Sequence, residues 1–332
     1  MMNTRERFHA VMQFQPFDRL PMVEWASWWD QTIDRWHTEG LPAELNDRYA
    51  LYDYFGLEQY KQMWIGPWIP AAPSHGAPVV RTMEDYLAIR EKLYPAPARA
   101  LDTGLLAQWA REQQRGDTVI WFTLHGYFWN PRCLLGIEEH LYSFYDEPEL
   151  MHLMNEDLTR WNLQVLDEIT RVCTPDFMTF AEDMSYNHGP MLSRELFEEF
   201  IAPYYRQIIP VLKERGILSI VDSDGDVGPL AGWLEAVGVE GILPLERQAG
   251  VDIAGQRAAH PRLRFIGHFD KMTMNRGEAV MRAEFERLLP TLRSGGFIPS
   301  VDHQTPPGVS LQDYSIYLRL LREYAERAAR LA

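Results

Sequence analysis

The sequence predicts an α/β chain whose strands close into a (β/α)8 barrel, with a helical extension at the N-terminus. Three observations predict it. From about residue 175 onward, short apolar runs alternate with amphipathic stretches at a steady pitch, the pattern of a parallel sheet crossed by helices. Candidate strands along the whole chain number about eight, which favours a closed barrel over an open sheet. No Gly-x-Gly-x-x-Gly or Walker pattern is present, so a nucleotide-binding sheet is disfavoured. No internal repeat, linker or low-complexity segment divides the 332 residues, which are read as one domain.

The elements follow in order. Thr4 to Met12 has the look of a short helix, and Pro21 to Trp25 that of a first strand. Leu41 to Phe55 is amphipathic and read as helix, Tyr60 to Ile65 as a second strand, and Ile69 to Val80, rich in Pro and Ala, as loop. Helices are expected over Met83 to Leu93 and Leu105 to Gln114, then a strand over Thr118 to Leu124. Leu150, Met154, Leu158, Trp161, Val165 and Ile169 recur at helical spacing and mark a long helix. Pro175 to Phe180 is the next strand. Ser193 is placed to cap a helix that Pro203 and Pro210 bend and Gly216 stops. Strands are then expected at Ile217 to Val221, Gly241 to Pro244, Leu263 to Ile266 and Phe297 to Val301. Helices separate them, and Ser310 with Asp313 opens the last one in the manner of a capping box.

Composition narrows the function. A formal net charge of −15 argues against nucleic acid as a partner. No apolar run reaches the roughly 18 residues of a membrane span, and the first ten residues lack the apolar core of a signal peptide. The cytoplasm is the expected location. Cys133 and Cys173 are the only cysteines, so neither a disulfide framework nor a cysteine zinc site is indicated. The oligomeric state stays open, a dimer included.

In a parallel barrel, chemistry gathers at the carboxyl ends of the strands. The expected strand tips here carry Glu24, His125, Glu182, Asp183, Asp222, Asp224, Glu246, His268, Asp270 and His303. Asp222 and Asp224 lie two apart and point to one side of an extended chain. Two such carboxylates repel unless a cation, a shared proton or a basic partner stands between them. Asp222, Asp224 and His303 are therefore candidate ligands for a divalent ion such as zinc, manganese or magnesium. Glu182, Asp183, Glu246 and His268 are candidate acid/base groups. Trp25, Trp29, His125, Phe128, Trp129 and Arg132 are candidate walls of a substrate pocket. The plainer readings stand beside these. Asp-Ser-Asp-Gly is also good turn and cap chemistry, tryptophans this dense also build cores, and a lone histidine at a strand end is often structural.

Several stretches resemble the uroporphyrinogen decarboxylase superfamily. They are T-R-E-R-F-H-A-V-M and D-R-L-P near the start, G-Y-F-W-N-P-R at 126–132, F-A-E-D-M-S-Y-N-H-G-P-M-L-S at 180–193, V-D-S-D-G-D at 221–226, G-I-L-P-L-E at 241–246 and G-G-F-I-P-S-V-D-H-Q-T-P-P-G-V-S at 295–310. The resemblance implies a (β/α)8 barrel with its site at the strand carboxyl ends, and one of two chemistries. True decarboxylases of the family carry an arginine-rich R-Q-A-G-R segment after the first strand. Here that region reads E-W-A-S-W-W-D-Q-T, with no arginine until Arg35. The second branch is similar to corrinoid-dependent methyltransferases, many of which hold zinc through a His-x-Cys pair. Asp222-x-Asp224 stands at that position, without thiolates. The Asp-x-His-x-x-Gly corrinoid motif is absent, so a corrinoid would ride on a separate partner protein.

The expected function is thus transfer of a methyl group from a small methylated substrate, a methyl ether among the candidates, to a corrinoid protein. A decarboxylase-like lyase, with Arg19, Arg132 and Arg247 as its anion-binding candidates, is the first alternative. A non-catalytic small-molecule binding barrel is the second. A carboxylate-pair glycosidase is also conceivable, since paired acids and tryptophans suit sugars.

Overall fold

The structure, a computed structural model, describes residues 2–69 and 78–329. Most of the expected loop from Ile69 to Val80 lies outside them. Among the described residues seven strands form one parallel sheet: β1 (Gln59–Ile65), β2 (Thr118–His125), β3 (Phe177–Ala181), β6 (Leu218–Ser223), β7 (Gly241–Pro244), β8 (Arg264–Phe269) and β9 (Phe297–Val301), hydrogen-bonded in that order. A small antiparallel hairpin, β4 (Ser185–Tyr186) and β5 (Gly189–Pro190), follows β3. Apart from β1, which carries Gln59, Lys61, Gln62 and an exposed Trp64, the strands are mostly buried along their length, as expected for strands covered on both faces. Their side chains and the surrounding helices form a single contiguous core.

The sheet is a seven-stranded curl rather than the closed eight-stranded barrel expected. The missing member is Pro21–Trp25, which forms no ladder. It is instead tied to both sheet edges, largely by side chains. Glu58 N–H, just before β1, donates to the Met22 carbonyl at 2.8 Å. On the other side Ser300 Oγ and Val301 N–H of β9 donate to the Glu24 carboxylate at 2.6 and 3.2 Å. Trp25 Nε1 donates to the Val301 carbonyl at 2.8 Å. A buried carboxylate thus substitutes for ladder bonds at this seam.

The helix Thr4–Met12 packs under the amino ends of the strands. Arg5 and His9 each reach Asp176, just before β3, at 2.7 Å, and Phe8 stacks on Phe177 with ring centroids 5.3 Å apart. Ser193 caps a helix as expected, accepting from Leu196 N–H, but the helix breaks in two at Ile201, with Pro203 in the first turn of the second piece. The expected helix from Leu41 shrinks to Arg48–Phe55, because Asp47 caps it by accepting from Tyr49 and Ala50 N–H. An unforeseen helix, Asp30–Thr38, precedes it. Among the described residues no helix is long and apolar enough to cross a membrane.

Candidate active site

The strand register sets the site. Ala181 of β3 lies beside Asp222 of β6, and Asp222 beside Leu243 of β7. Just past these residues the chain turns sharply, with positive φ at Asp183 (+40°), Leu245 (+60°) and, within β8, His268 (+65°). Such angles cost a non-glycine residue about 1–3 kcal/mol each, and here they aim side chains at the mouth or lock the loops around it.

Glu182 is the anchor of this region. Its carboxylate is fully buried and accepts four hydrogen bonds. Three come from the N–H groups of Tyr127 (2.9 Å), Phe128 (2.7 Å) and Trp129 (3.2 Å). The fourth comes from the Tyr205 hydroxyl at 2.5 Å. These backbone donors sit at the start of the helix Trp129–Leu135, where a carboxylate is favoured. Gly126 makes the approach possible, since a Cβ there would stand 2.1 Å from the Glu182 carboxyl carbon. Burial pushes the Glu182 carboxyl up to about 7 against the pull of its donors.

The next residue differs. Asp183 turns its carboxylate into a cavity of about 520 Å³, together with Asp222 and Asp224. The Asp224 loop is held in place from both sides. Gly225 N–H donates to Glu246 Oε2 at 2.9 Å, Asp226 N–H donates to the Tyr186 carbonyl of the hairpin at 2.9 Å, and Ser185 Oγ donates to the Asp226 carbonyl at 2.5 Å. A side chain at Gly225, whose φ is +82°, would collide with the Tyr186 backbone at 2.7 Å.

The three cavity carboxylates disfavour one another's charge. Burial, then repulsion from Asp183 and Asp224, lifts Asp222 well above the usual carboxylate range. Burial, followed by repulsion from Asp183 and Glu246, pushes Asp224 up to about 7, with Lys271 partly offsetting it. Burial also raises Asp183. His303 approaches Asp224 at 3.6 Å, beyond hydrogen-bond distance. Burial and Lys271 lower its pKa, so both partners lean to the neutral form and the contact is weak. Glu246 stands behind, paired with Lys271 at 3.3 Å.

The remaining wall is aromatic and basic. Trp25 joins from the segment at the seam, its ring edge-on to His303 at 6.4 Å, and Trp129 from the helix that Glu182 anchors. Arg132 stacks over Trp129 at 5.0 Å and donates to the Asp183 carbonyl at 3.1 Å, steadying both. Arg48, Gln62 and Trp64 complete the cavity and were not foreseen. Gln62 and Trp64 alternate along β1, a signal that was available. Arg48 gave none, because it reaches in from a helix rather than a strand tip.

The structure therefore brings together Asp183, Asp222, Asp224, His303, Trp25 and Trp129, with Glu246 and Arg132 supporting them. It places the others elsewhere. Glu24 serves the seam, Trp29 is exposed, and Phe128 is buried between His140 and Phe144. His125 packs against Gly66 and contacts Asn130 at 3.2 Å, burial pushing it down to about 4. His268 is wholly buried, donates from Nδ1 to the Leu245 carbonyl at 2.7 Å, and is likewise pushed down to about 4 by burial. Asp270 caps a short 3-10 turn by accepting from Met272 N–H. Among the described residues no group of three His, Cys, Asp or Glu side chains is arranged to hold a metal ion. Asp222, Asp224 and His303 as they stand do not make up a ligand set.

A curled parallel sheet ringed by helices, with a cavity at the carboxyl ends of its strands, defines an α/β barrel-type protein. The family model for uroporphyrinogen decarboxylase (URO-D) matches residues 122–324, and the chain belongs to that family. Among solved structures, a methyltransferase from Methanosarcina mazei is similar at 13% identity, with a TM-score of 0.69 over 98% of this chain and 99% of that one. A protein described as a vitamin-B12-independent methionine synthase, from Listeria monocytogenes, aligns at 13% identity over 93% of this chain and 98% of its own, with a TM-score of 0.42. No curated protein matches the chain.

Proposed function

We propose that the chain is a methyltransferase, working in the cytoplasm, that takes a methyl group from a small methylated substrate in this cavity to a corrinoid carried by a separate protein. One observation supports this reading over decarboxylation: among the described residues, the cavity wall sets Asp183, Asp222 and Asp224 against one arginine, Arg48. A polycarboxylate macrocycle needs several cations within reach. The arginines that could have supplied them do not line the cavity. Arg19 pairs with Glu58 at 2.7 Å, and Arg132 lies behind Trp129. The Methanosarcina mazei protein, which shares the fold across nearly all of both chains, is itself named a methyltransferase.

A methyl group moves to a nucleophile only if the atom it leaves can accept the bonding electron pair. An ether oxygen needs a proton to do so; a positively charged nitrogen or sulfur does not. The carboxylates meet either demand. Asp224, pushed up to about 7, holds a proton near neutrality that it can give to a departing oxygen. The same groups, once ionised, hold a cation. Trp25 and Trp129 exclude water from the reacting atoms and orient the substrate, while the corrinoid, when bound to its carrier, supplies the methyl-accepting nucleophile.

The test is incubation with candidate methyl donors and reduced cobalamin, following corrinoid methylation by absorbance, with uroporphyrinogen run in parallel. Methylated corrinoid is the expected result. Carboxyl loss from uroporphyrinogen, with no methylation from any donor, contradicts the reading.

A further inference from the structure

The cavity wall carries groups of both charges. Asp183, Asp222 and Asp224 reach it from the ends of β3 and β6. Asp222 receives no side-chain hydrogen bond from any described residue, while Glu182, one strand away, receives four. The nearest ammonium, Lys271, is already paired with Glu246 and does not line the space. Arg48 lines the same cavity. It donates from Nε to the Tyr52 hydroxyl (2.9 Å), from one terminal nitrogen to Gln62 Oε1 (2.7 Å), and from the other to the carbonyls of Glu24 (3.2 Å) and Trp25 (2.6 Å). All four acceptors are neutral, and one of the five guanidinium donors is left over. Its charge therefore meets no carboxylate among the described residues. Trp25, Trp64 and Trp129, drawn from three separate segments, line the space with them.

We infer that the cavity takes a small zwitterion, with a methylated ammonium group set among the tryptophans beside Asp183, Asp222 and Asp224 and a carboxylate reaching Arg48. The inference rests on the methyl-transfer reading for what happens next, but not for what binds. Clustered carboxylates call for positive charge. Aromatic faces attract a cation without asking it for N–H donors, which favours an alkylated ammonium over a bare one or a hydrated metal. A cavity of about 520 Å³ has room for such a molecule. In transfer, the carbon–nitrogen bond breaks with its electron pair staying on nitrogen. A neutral amine remains, no proton is needed, and the methyl carbon bonds to a two-electron nucleophile, the reduced corrinoid of the acceptor protein.

Calorimetric titration of the full chain with trimethylammonio-carboxylates, from trimethylglycine to 4-trimethylammoniobutanoate, tests this. The control is 3,3-dimethylbutanoate, which copies the shape of trimethylglycine without its positive charge. At least one zwitterion should bind, and the anionic isostere at least tenfold more weakly. Asp222→Asn should weaken the zwitterion at least tenfold and should not weaken the isostere. Equal affinity for the zwitterion and for the isostere that lacks its positive charge, or no binding by any member of the series, overturns the inference. Binding without corrinoid methylation supports it while removing the methyltransferase reading. Methylation from a neutral ether with no zwitterion binding does the reverse.

Discussion

Glu182 and Asp183 leave the same strand one residue apart, and their carboxylates meet different surroundings. Glu182 turns inward and is saturated by three backbone N–H groups and a tyrosine hydroxyl. Asp183 turns outward into the cavity beside Asp222 and Asp224, where other acids outnumber donors. The same division runs round the ring of strand ends. Glu24 and Asp302 are buried and held by hydrogen bonds from β9 and from the N–H groups of Arg247 and Lys271. Asp222 and Asp224 are not so held. The lesson is that an acid at a strand tip is a fastening when donors surround it and a binding group when they do not.

Removing a fastening should cost the most. Glu182→Ala strands three backbone N–H groups, each worth about 1–3 kcal/mol when buried without an acceptor. Denaturant unfolding should show a loss of about 4 kcal/mol or more. A variant within about 1 kcal/mol of the native protein would mean that Glu182 is not the anchor. Glu24→Gln keeps the shape but weakens the seam where Pro21–Trp25 meets β9. A loss of about 2 kcal/mol is expected in the same assay, and no loss would show that the seam holds without this carboxylate.

A cavity carboxylate should behave in the opposite way. Asp224 ionises near 7 in the fold, against a usual value of 3.8. The folded protein therefore binds the extra proton, and its contribution to stability is present at low pH and lost as pH rises through 7. Asp224→Asn removes that dependence. The variant should gain on the native protein between pH 6 and 8, by about 1 kcal/mol once screening of a part-exposed group is allowed for. A difference that is flat, or falls, across that range contradicts the assignment.

The sequence made much of this legible, and its failures have physical causes. Seven of the expected strands form where apolar runs stand between turn signals. Pro21–Trp25 has the composition of a strand, but the seam it occupies is bonded largely by the Glu24 and Ser300 side chains, and periodicity carries no trace of that. The acidic mouth was readable because barrel geometry delivers every strand tip to one face. Which acids line the cavity was not, since Glu182 and Asp183 differ only in the donors folded around them. Arg48 was missed because a guanidinium on an amphipathic helix looks like any solvated charge until tertiary contacts carry it inward.

Asp222→Asn tests the division most directly, with stability and methyl transfer measured on the same preparation. No hydrogen bond is lost, so unfolding free energy should stay within about 0.5 kcal/mol of the native value or rise. Methyl transfer should fall by about 100-fold or more. A variant that unfolds like Glu182→Ala, or one that transfers methyl groups at the native rate, would contradict the account.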